Sequence, residues 1–315
     1  MATAMATAMA TPNRANSGGN FTPTIHATTY EYISPQKLNL AGKHVLITGA
    51  AWEDGVGFAT ATAFARAGAS AIAVADLHGV AADLVEKLKQ AAVDAGRPTP
   101  KVLSYTVDIT QRSSVQAMHD AVSEAFGERL DILVNNAAHM EPNVSFLDSD
   151  PEVYWRTWEV NIHGLHNMAR AFLPMQLSTR ASADGAGGLC TMINLSSSGA
   201  LSIRPGGASY RSSKLAVMRW TESVQVEYAD QGLLAYCVNP GAIKTKLSEG
   251  NLPDSLRDKF PHRADMPGDT IAWLAAERRE WLGGRYVSCH WDMEELMGKK
   301  DEIVEGDKLK LKMDF

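Results

Sequence analysis

The chain has 315 residues, 45% of them hydrophobic and 21% charged, and carries a formal net charge of −6. That apolar share supports a packed core and excludes a wholly disordered chain. The acidic balance argues against nucleic acid as a partner, because phosphate backbones are met by clustered Lys and Arg. No apolar run approaches the roughly 20 residues that span a bilayer, so no membrane partner is expected. Cys190, Cys237 and Cys289 lie far apart and form no CxxC pair, so they read as buried thiols of a reducing compartment.

Residues 1–12 repeat a Met-Ala-Thr unit and 13–20 are polar and Gly-rich, which predicts a loose tail over 1–20. No aliphatic stretch follows a basic start. Arg14 is the single basic residue before the first acid, Glu31, which is thin for an Arg-rich presequence. A cytoplasmic protein is expected. Residues 21–40 mix aromatics and prolines and are expected to lie extended on the folded body. From Lys43 onward short apolar runs alternate with helical periodicity. Strands are predicted at 44–48, 71–75, 102–107, 130–134, 189–195, 233–238 and 285–289. Helices are predicted at 56–67, 80–95, 113–126, 152–177 and 208–229. This alternation predicts one α/β domain over 41–290, a doubly wound parallel sheet with helices on both faces. A charged extension follows at 291–315.

Thr48-Gly49 ends the first strand and Gly55-Val56-Gly57 opens the first helix. Glycines there let the backbone approach a pyrophosphate at a helix N-terminus, as in Rossmann-type domains. Asp76 follows the second strand, where a carboxylate can accept hydrogen bonds from an adenosine ribose. A 2′-phosphate would meet Asp76 as like charge, and the loop adds Glu53 and Asp54 without any Arg. NAD is therefore expected over NADP. Asp108 and Asn135-Asn136-Ala137-Ala138 sit at further strand ends, the edge where open parallel sheets bind ligands; each alone is an ordinary turn residue.

Tyr210 and Lys214 are four apart on a helical stretch, which puts both on one face. A Tyr hydroxyl titrates near about 10 and is a poor base at neutral pH; a neighbouring ammonium lowers that value. Ser197 ends the fifth strand, placed to hold a carbonyl or alcohol oxygen beside the phenol. Together with Asn161 and with Asn239-Pro240-Gly241 followed by Thr245, these motifs resemble the short-chain dehydrogenase/reductase family over about residues 40–290. The resemblance implies that Tyr210 is the general acid/base, that Lys214 lowers its pKa and bonds the nicotinamide ribose, that Ser197 polarises the substrate oxygen, and that Asn161 positions a water in a proton relay. It implies a cofactor set of Thr48, Gly49, Gly55, Val56, Gly57, Asp76, Leu77, Asp108, Ile109, Asn135, Ala137, Tyr210, Lys214, Pro240, Ile243 and Thr245. The carboxamide would be held by the backbone around Ile243 and by the Thr245 hydroxyl. A homodimer or homotetramer is implied too, built on the long helices 152–177 and 208–229.

The implied activity is hydride transfer between a nicotinamide and a secondary alcohol or ketone on a small or medium apolar metabolite. The extra segments at both ends look like those of fungal members active in secondary metabolism. Two readings stand beside it: the same fold repurposed for cyclisation or isomerisation, and a non-catalytic dinucleotide-binding sensor or scaffold. Where the family has three residues between its first two glycines, Ala50-Ala51-Trp52-Glu53-Asp54 makes five, so the loop must bulge. Residues 244–266, with Leu247, Leu252, Leu256 and Phe260, sit where the family keeps its substrate lid. No metal is expected, since His163 and His166 have no carboxylate or Cys to complete a site.

Overall fold

Val45, Leu46 and Ile47 are fully buried with their neighbours because the first strand, β1 (His44–Thr48), is covered on both faces. Its side chains alternate: Val45 and Ile47 join one apolar cluster and Leu46 the other, as the pleat requires. The structure, a computed structural model, describes residues 18–182 and 188–313. The remaining strands are β2 (Ala71–Asp76), β3 (Lys101–Thr106), β4 (Ile132–Asn135), β5 (Thr191–Leu195), β6 (Leu234–Asn239) and β7 (Tyr286–Ser288). All pair in parallel, in the order β3-β2-β1-β4-β5-β6-β7. The chain runs outward from β1 to β3, then returns to place β4 on the other side of β1. A crevice opens between the carboxyl ends of β1 and β4.

The helices are α1 (Val56–Arg66), α2 (Ala82–Asp94), α3 (Arg112–Phe126), α4 (Pro151–Trp158), α5 (Leu165–Ala181), α6 (Ala208–Tyr228), α7 (Asp254–Arg257), α8 (Asp265–Ala276), α9 (Met293–Gly298) and α10 (Lys300–Glu305). One face of the sheet is packed by α1, α2 and α8 through Phe64, Leu88 and Ile271. The other is packed by α3 and α5 through Val122 and Phe172. The expected doubly wound sheet is what forms.

Three elements differ from expectation, each for a physical reason. The single helix expected over 152–177 is α4 and α5 joined by a π-helical turn, Glu159–Gly164; such turns often mark functional sites. Helix α8 has no amphipathic pattern to find, because Met266 to Ala275 are all buried. It lies so close to α1 that a Cβ on Gly268 would stand 2.6 Å from the Ala59 carbonyl oxygen. The charged extension is not a solvated tail, since Trp291, Met293, Leu296 and Ile303 are buried.

The two ends of the chain are tied together. The Trp291 Nε1–H donates to the Gly18 carbonyl at 2.8 Å, Thr24 bonds Glu295, and His26 Nε2 lies 2.8 Å from the Asp292 carboxylate. Residues 18–20, assigned to the loose tail on sequence grounds, are thus held to the body; the rest of that assignment, 1–17, lies outside the described residues. In the 21–40 segment Ile33 and Leu40 are buried, and it carries short 3-10 turns at Glu31–Ile33 and Pro35–Lys37 rather than running extended throughout.

Candidate active site

The crevice between β1 and β4 continues into a cleft of about 1360 Å³ that runs along the carboxyl edge of the sheet. Thr48, Gly49, Gly55, Val56, Asp76 and Leu77 line one end; Ser197, Tyr210, Lys214, Pro240, Ile243 and Thr245 line the other. Asp108, Ile109 and Ala137 lie on the wall between them.

At the first end the backbone turns tightly from strand to helix. Gly49 has φ +73, and a Cβ there would sit 2.8 Å from the Ala137 Cα. A Cβ on Gly57 would stand 2.3 Å from the Gly49 carbonyl oxygen. Gly57 therefore serves the turn itself and is not on the cleft wall. The first turn of α1 has no side-chain cap at Gly55, and Gly55 and Val56 line the cleft, the setting in which helix amides can meet an anion. The Ala51 N–H donates to the Asp76 carboxylate at 3.1 Å, as does that of His78. Glu53 pairs with Lys87 at 2.6 Å, and the Lys246 ammonium lies 5.6 Å from the Trp52 ring centre. With Glu53 neutralised by Lys87, the charge argument against a 2′-phosphate rests chiefly on Asp76.

Asn136, the middle residue of the Asn135-Asn136-Ala137 motif, locks this turn. Its Nδ2 donates to the Thr48 and Gly49 carbonyls at 2.8 and 2.9 Å. The Asn136 and Ala137 amides both donate to Thr48 Oγ1 at 3.1 Å, which holds the ends of β1 and β4 together. Asn135 corrects the expected cofactor set. Its side chain points to β5, donating to Asn194 Oδ1 at 2.8 Å, so it supports the sheet beneath the cleft and does not line it.

At the second end β5 delivers Ser197 and α6 delivers Tyr210 and Lys214. Burial pushes the pKa of the Tyr210 phenol up to about 12, with Ser197 lowering it and Glu141 raising it. The lowering expected from a neighbouring ammonium is not among these causes, and burial is the largest of them. Burial also pushes the Lys214 ammonium down to about 8. Its Nζ donates to the Leu195 carbonyl at 2.8 Å and lies 5.8 Å from the Tyr210 ring centre. The Ser197 oxygen accepts the Gly199 N–H at 3.0 Å, which orients it at the end of β5.

Asn161 sits in the π-helical turn. Its Oδ1 accepts the His139 N–H at 2.9 Å, and its Nδ2 donates to the His139 carbonyl and to Ser213 Oγ, both at 3.0 Å. Ser213 Oγ donates in turn to the Tyr210 carbonyl at 2.8 Å. Asn161 thus clamps the loop after β4 to the first turns of α6. Glu141, unmarked by any sequence motif, is buried on that loop. Both of its carboxylate oxygens accept the Tyr210 N–H at 3.0 Å, and one accepts the Thr157 hydroxyl at 3.2 Å.

The far wall of the cleft comes from outside the motif region. Ile25, His26, Ala27 and His290 line it, beside Phe260 and His262 of the segment after β6. His262 Nδ1 accepts the Ala242 N–H at 2.8 Å, and the His262 and His290 rings stack at 5.5 Å.

A family model described as short chain dehydrogenase matches residues 43–255. The chain belongs to the short-chain dehydrogenase family. The short chain dehydrogenase citE of Monascus ruber is 43% identical over 288 residues, covering 91% of this chain and 94% of that protein. The short chain dehydrogenase pigC of Monascus ruber is 38% identical, covering 96% and 97%. Among solved structures, the 3-ketoacyl-(acyl-carrier-protein) reductase from Brucella melitensis complexed with NADH superposes with a TM-score of 0.66 at 28% identity, covering 79% of this chain and 97% of that one. The fold, the glycine turn and the Ser197–Tyr210–Lys214 grouping are those expected of a short-chain dehydrogenase. The donor set fits a nicotinamide dinucleotide: a glycine turn with helix amides at one end, a carboxylate beyond it, and an ammonium beside a phenol at the other. Among the described residues no helix is long and apolar enough to cross a membrane.

Proposed function

We propose that this short-chain dehydrogenase interconverts a secondary alcohol and a ketone on a small or medium apolar metabolite, with NAD(H) as cofactor and Tyr210 as the acid/base. The observation that carries the reading is the convergence of Ser197, Tyr210 and Lys214 at one end of a cleft whose other end is the glycine turn and Asp76. The nicotinamide supplies hydride donor or acceptor chemistry at its C4 when bound. Ser197 holds the substrate oxygen against the Tyr210 hydroxyl. Tyr210 gives a proton to that oxygen on reduction and takes it back on oxidation. Lys214 stabilises the phenolate that forms and holds the neighbouring ribose hydroxyls, exchanging its Leu195 carbonyl for them. The cleft's apolar and aromatic lining, including Met140, Leu252, Leu256 and Phe260, favours an apolar body on the substrate.

NAD preference rests on the Asp76 carboxylate. Calorimetric titration should give tighter binding of NADH than of NADPH. Asp76→Ala should weaken NADH by about tenfold or more, the scale of a charge-assisted hydrogen bond, and should narrow the difference between the two. Tighter NADPH binding by the parent protein would reverse the assignment. The buried thiols of Cys190, Cys237 and Cys289 are consistent with the cytoplasm as the site of action.

A homodimer or homotetramer completes the proposal. Trp155 on α4 and Leu215 and Val226 on α6 are 62%, 38% and 75% exposed, more apolar surface than a solitary helix pair ordinarily shows to water. Light scattering at micromolar concentration should give two or four times the chain mass. A monomer alone would remove this part.

A further inference from the structure

Ile25 is 43% exposed, and it lines the cleft. An aliphatic side chain left bare against a cavity gains when an apolar body covers it. The segment that carries Ile25 is anchored along its length. Its backbone pairs with Trp291 as an antiparallel bridge, and the His26 N–H donates to the His290 carbonyl at 2.8 Å. Glu295 holds Thr24 and Asp292 holds His26, whose ring stacks on Tyr30 with centres 3.6 Å apart. The Arg263 N–H donates to the Ala27 carbonyl at 3.0 Å, which ties the segment to the stretch after β6. A wall built this way has its shape before a ligand arrives, so little ordering cost is set against the contacts it offers.

Hydrogen bonds fix which end of the cleft this wall bounds. His290 Nε2 donates to the Gly19 carbonyl at 3.1 Å, and its Nδ1 lies 2.8 Å from Ser288 Oγ. Ser288 Oγ accepts the Asn239 Nδ2–H at 2.7 Å, and Asn239 Oδ1 accepts the Ser198 N–H at 3.0 Å. That chain joins the N-terminal segment to the residue after Ser197. A second route runs through His262, which stacks on His290 and accepts the Ala242 N–H beside Ile243. Both routes lead to the Ser197 end of the cleft. Phe260 and Pro261 add apolar surface to the same lining.

We propose that Ile25 is a specificity-determining residue: it is the apolar contact for the part of the substrate remote from the reacting carbon, so the cleft takes a ketone or alcohol whose apolar body is a fused ring system rather than a single ring. The inference rests on the reading that the substrate oxygen sits at Ser197 and Tyr210. It assigns a binding role to a residue about 170 positions before that serine, on a segment outside the family's motifs.

Three methyl ketones share one reacting group and differ by a ring each: acetophenone, β-acetonaphthone and acetylphenanthrene. Equilibrium dialysis against the protein saturated with NAD+ gives their affinities without turnover. Affinity for the parent protein should rise along the series. Ile25→Ala should weaken acetylphenanthrene by about fivefold to tenfold, the scale of a few lost methyl and methylene contacts, and leave acetophenone and NAD+ as in the parent. Ile25→Leu keeps the apolar volume and should restore the parent affinity. Should Ile25→Ala not fold, Ile25→Thr keeps the branched shape, sets a hydroxyl against the ring and reads the same loss. An equal loss for all three ketones, no loss for the longest, an Ile25→Leu loss as large as that of Ile25→Ala, or no rise along the series in the parent would each overturn the proposal. Turnover with NADH separates the two readings. A ring-size gain that depends on Ile25, with no ketone reduced, overturns the acid/base assignment and leaves this inference standing; reduction of all three ketones without dependence on Ile25 does the reverse.

Discussion

Replacing Tyr210 by phenylalanine is expected to lower turnover by about a hundredfold or more, the usual scale for a positioned acid/base, with the dissociation constant for NADH unchanged. The ring remains and its packing with it. Only the buried hydroxyl is lost, and its removal ends a costly burial of a polar group. Stopped-flow or steady-state absorbance of the reduced nicotinamide gives the rate, and calorimetry gives the affinity. Near-normal turnover in this variant would remove Tyr210 as the acid/base. The same fold used for isomerisation or cyclisation would then be the better reading.

Lys214→Met is expected to reduce turnover by about a hundredfold and also to weaken NADH binding by about tenfold, because the ammonium serves both the phenolate and the ribose. The same substitution should stabilise the protein. Burial pushes Lys214 down to about 8 from its ordinary 10.5, so the native state disfavours the charged form that the unfolded chain prefers. Stability therefore rises as pH climbs from below 8 toward 10.5, and the cost is fully present at pH 7. Methionine removes that cost and forfeits the hydrogen bond to the Leu195 carbonyl. The net gain at pH 7 is on the order of 2 kcal/mol and shrinks as the pH rises from about 8 to 10.5. Chemical denaturation at pH 7 and pH 10 checks the sign. A variant that is less stable at pH 7 and equally active would contradict both assignments of Lys214.

The contrast between Lys214 and Glu141 shows what a sequence can reveal about this site. Lys214 lies four residues from Tyr210, so helical geometry alone places the two together. Glu141 reaches Tyr210 from 69 residues away, through a loop whose path no local pattern encodes. Strands such as His44–Thr48 and Ala71–Asp76 were legible as short apolar runs. Helices α2 and α3 were legible through Leu84, Leu88 and Ala92, and through Val115, Met118, Val122 and Phe126, which recur at helical spacing. Helix α8 was not, since a helix buried all round has no period. The π-helical turn at Glu159–Gly164 was not, because its residues suit an ordinary helix and only the clamp made by Asn161 selects the wider turn. The wall made by Ile25, His26 and His290 depends on the meeting of two chain ends about 270 residues apart, a tertiary contact with no local signature. The direction of the Asn135 side chain was not legible for a related reason: a polar residue at a strand end can turn to the ligand or to the next strand, and here Asn194 takes it.

The central claim is that this cleft holds a nicotinamide dinucleotide with its reactive ring at Ser197 and Tyr210. A crystal structure of the protein grown with NADH tests it most directly and requires no knowledge of the substrate. The account predicts the adenosine ribose on the Asp76 carboxylate, the pyrophosphate against the first turn of α1, the nicotinamide ribose within hydrogen-bond distance of Lys214 Nζ, and the Tyr210 hydroxyl facing the open side of C4. A cofactor bound with its nicotinamide directed away from Ser197 and Tyr210, or a cleft that stays empty at millimolar NADH, would contradict it.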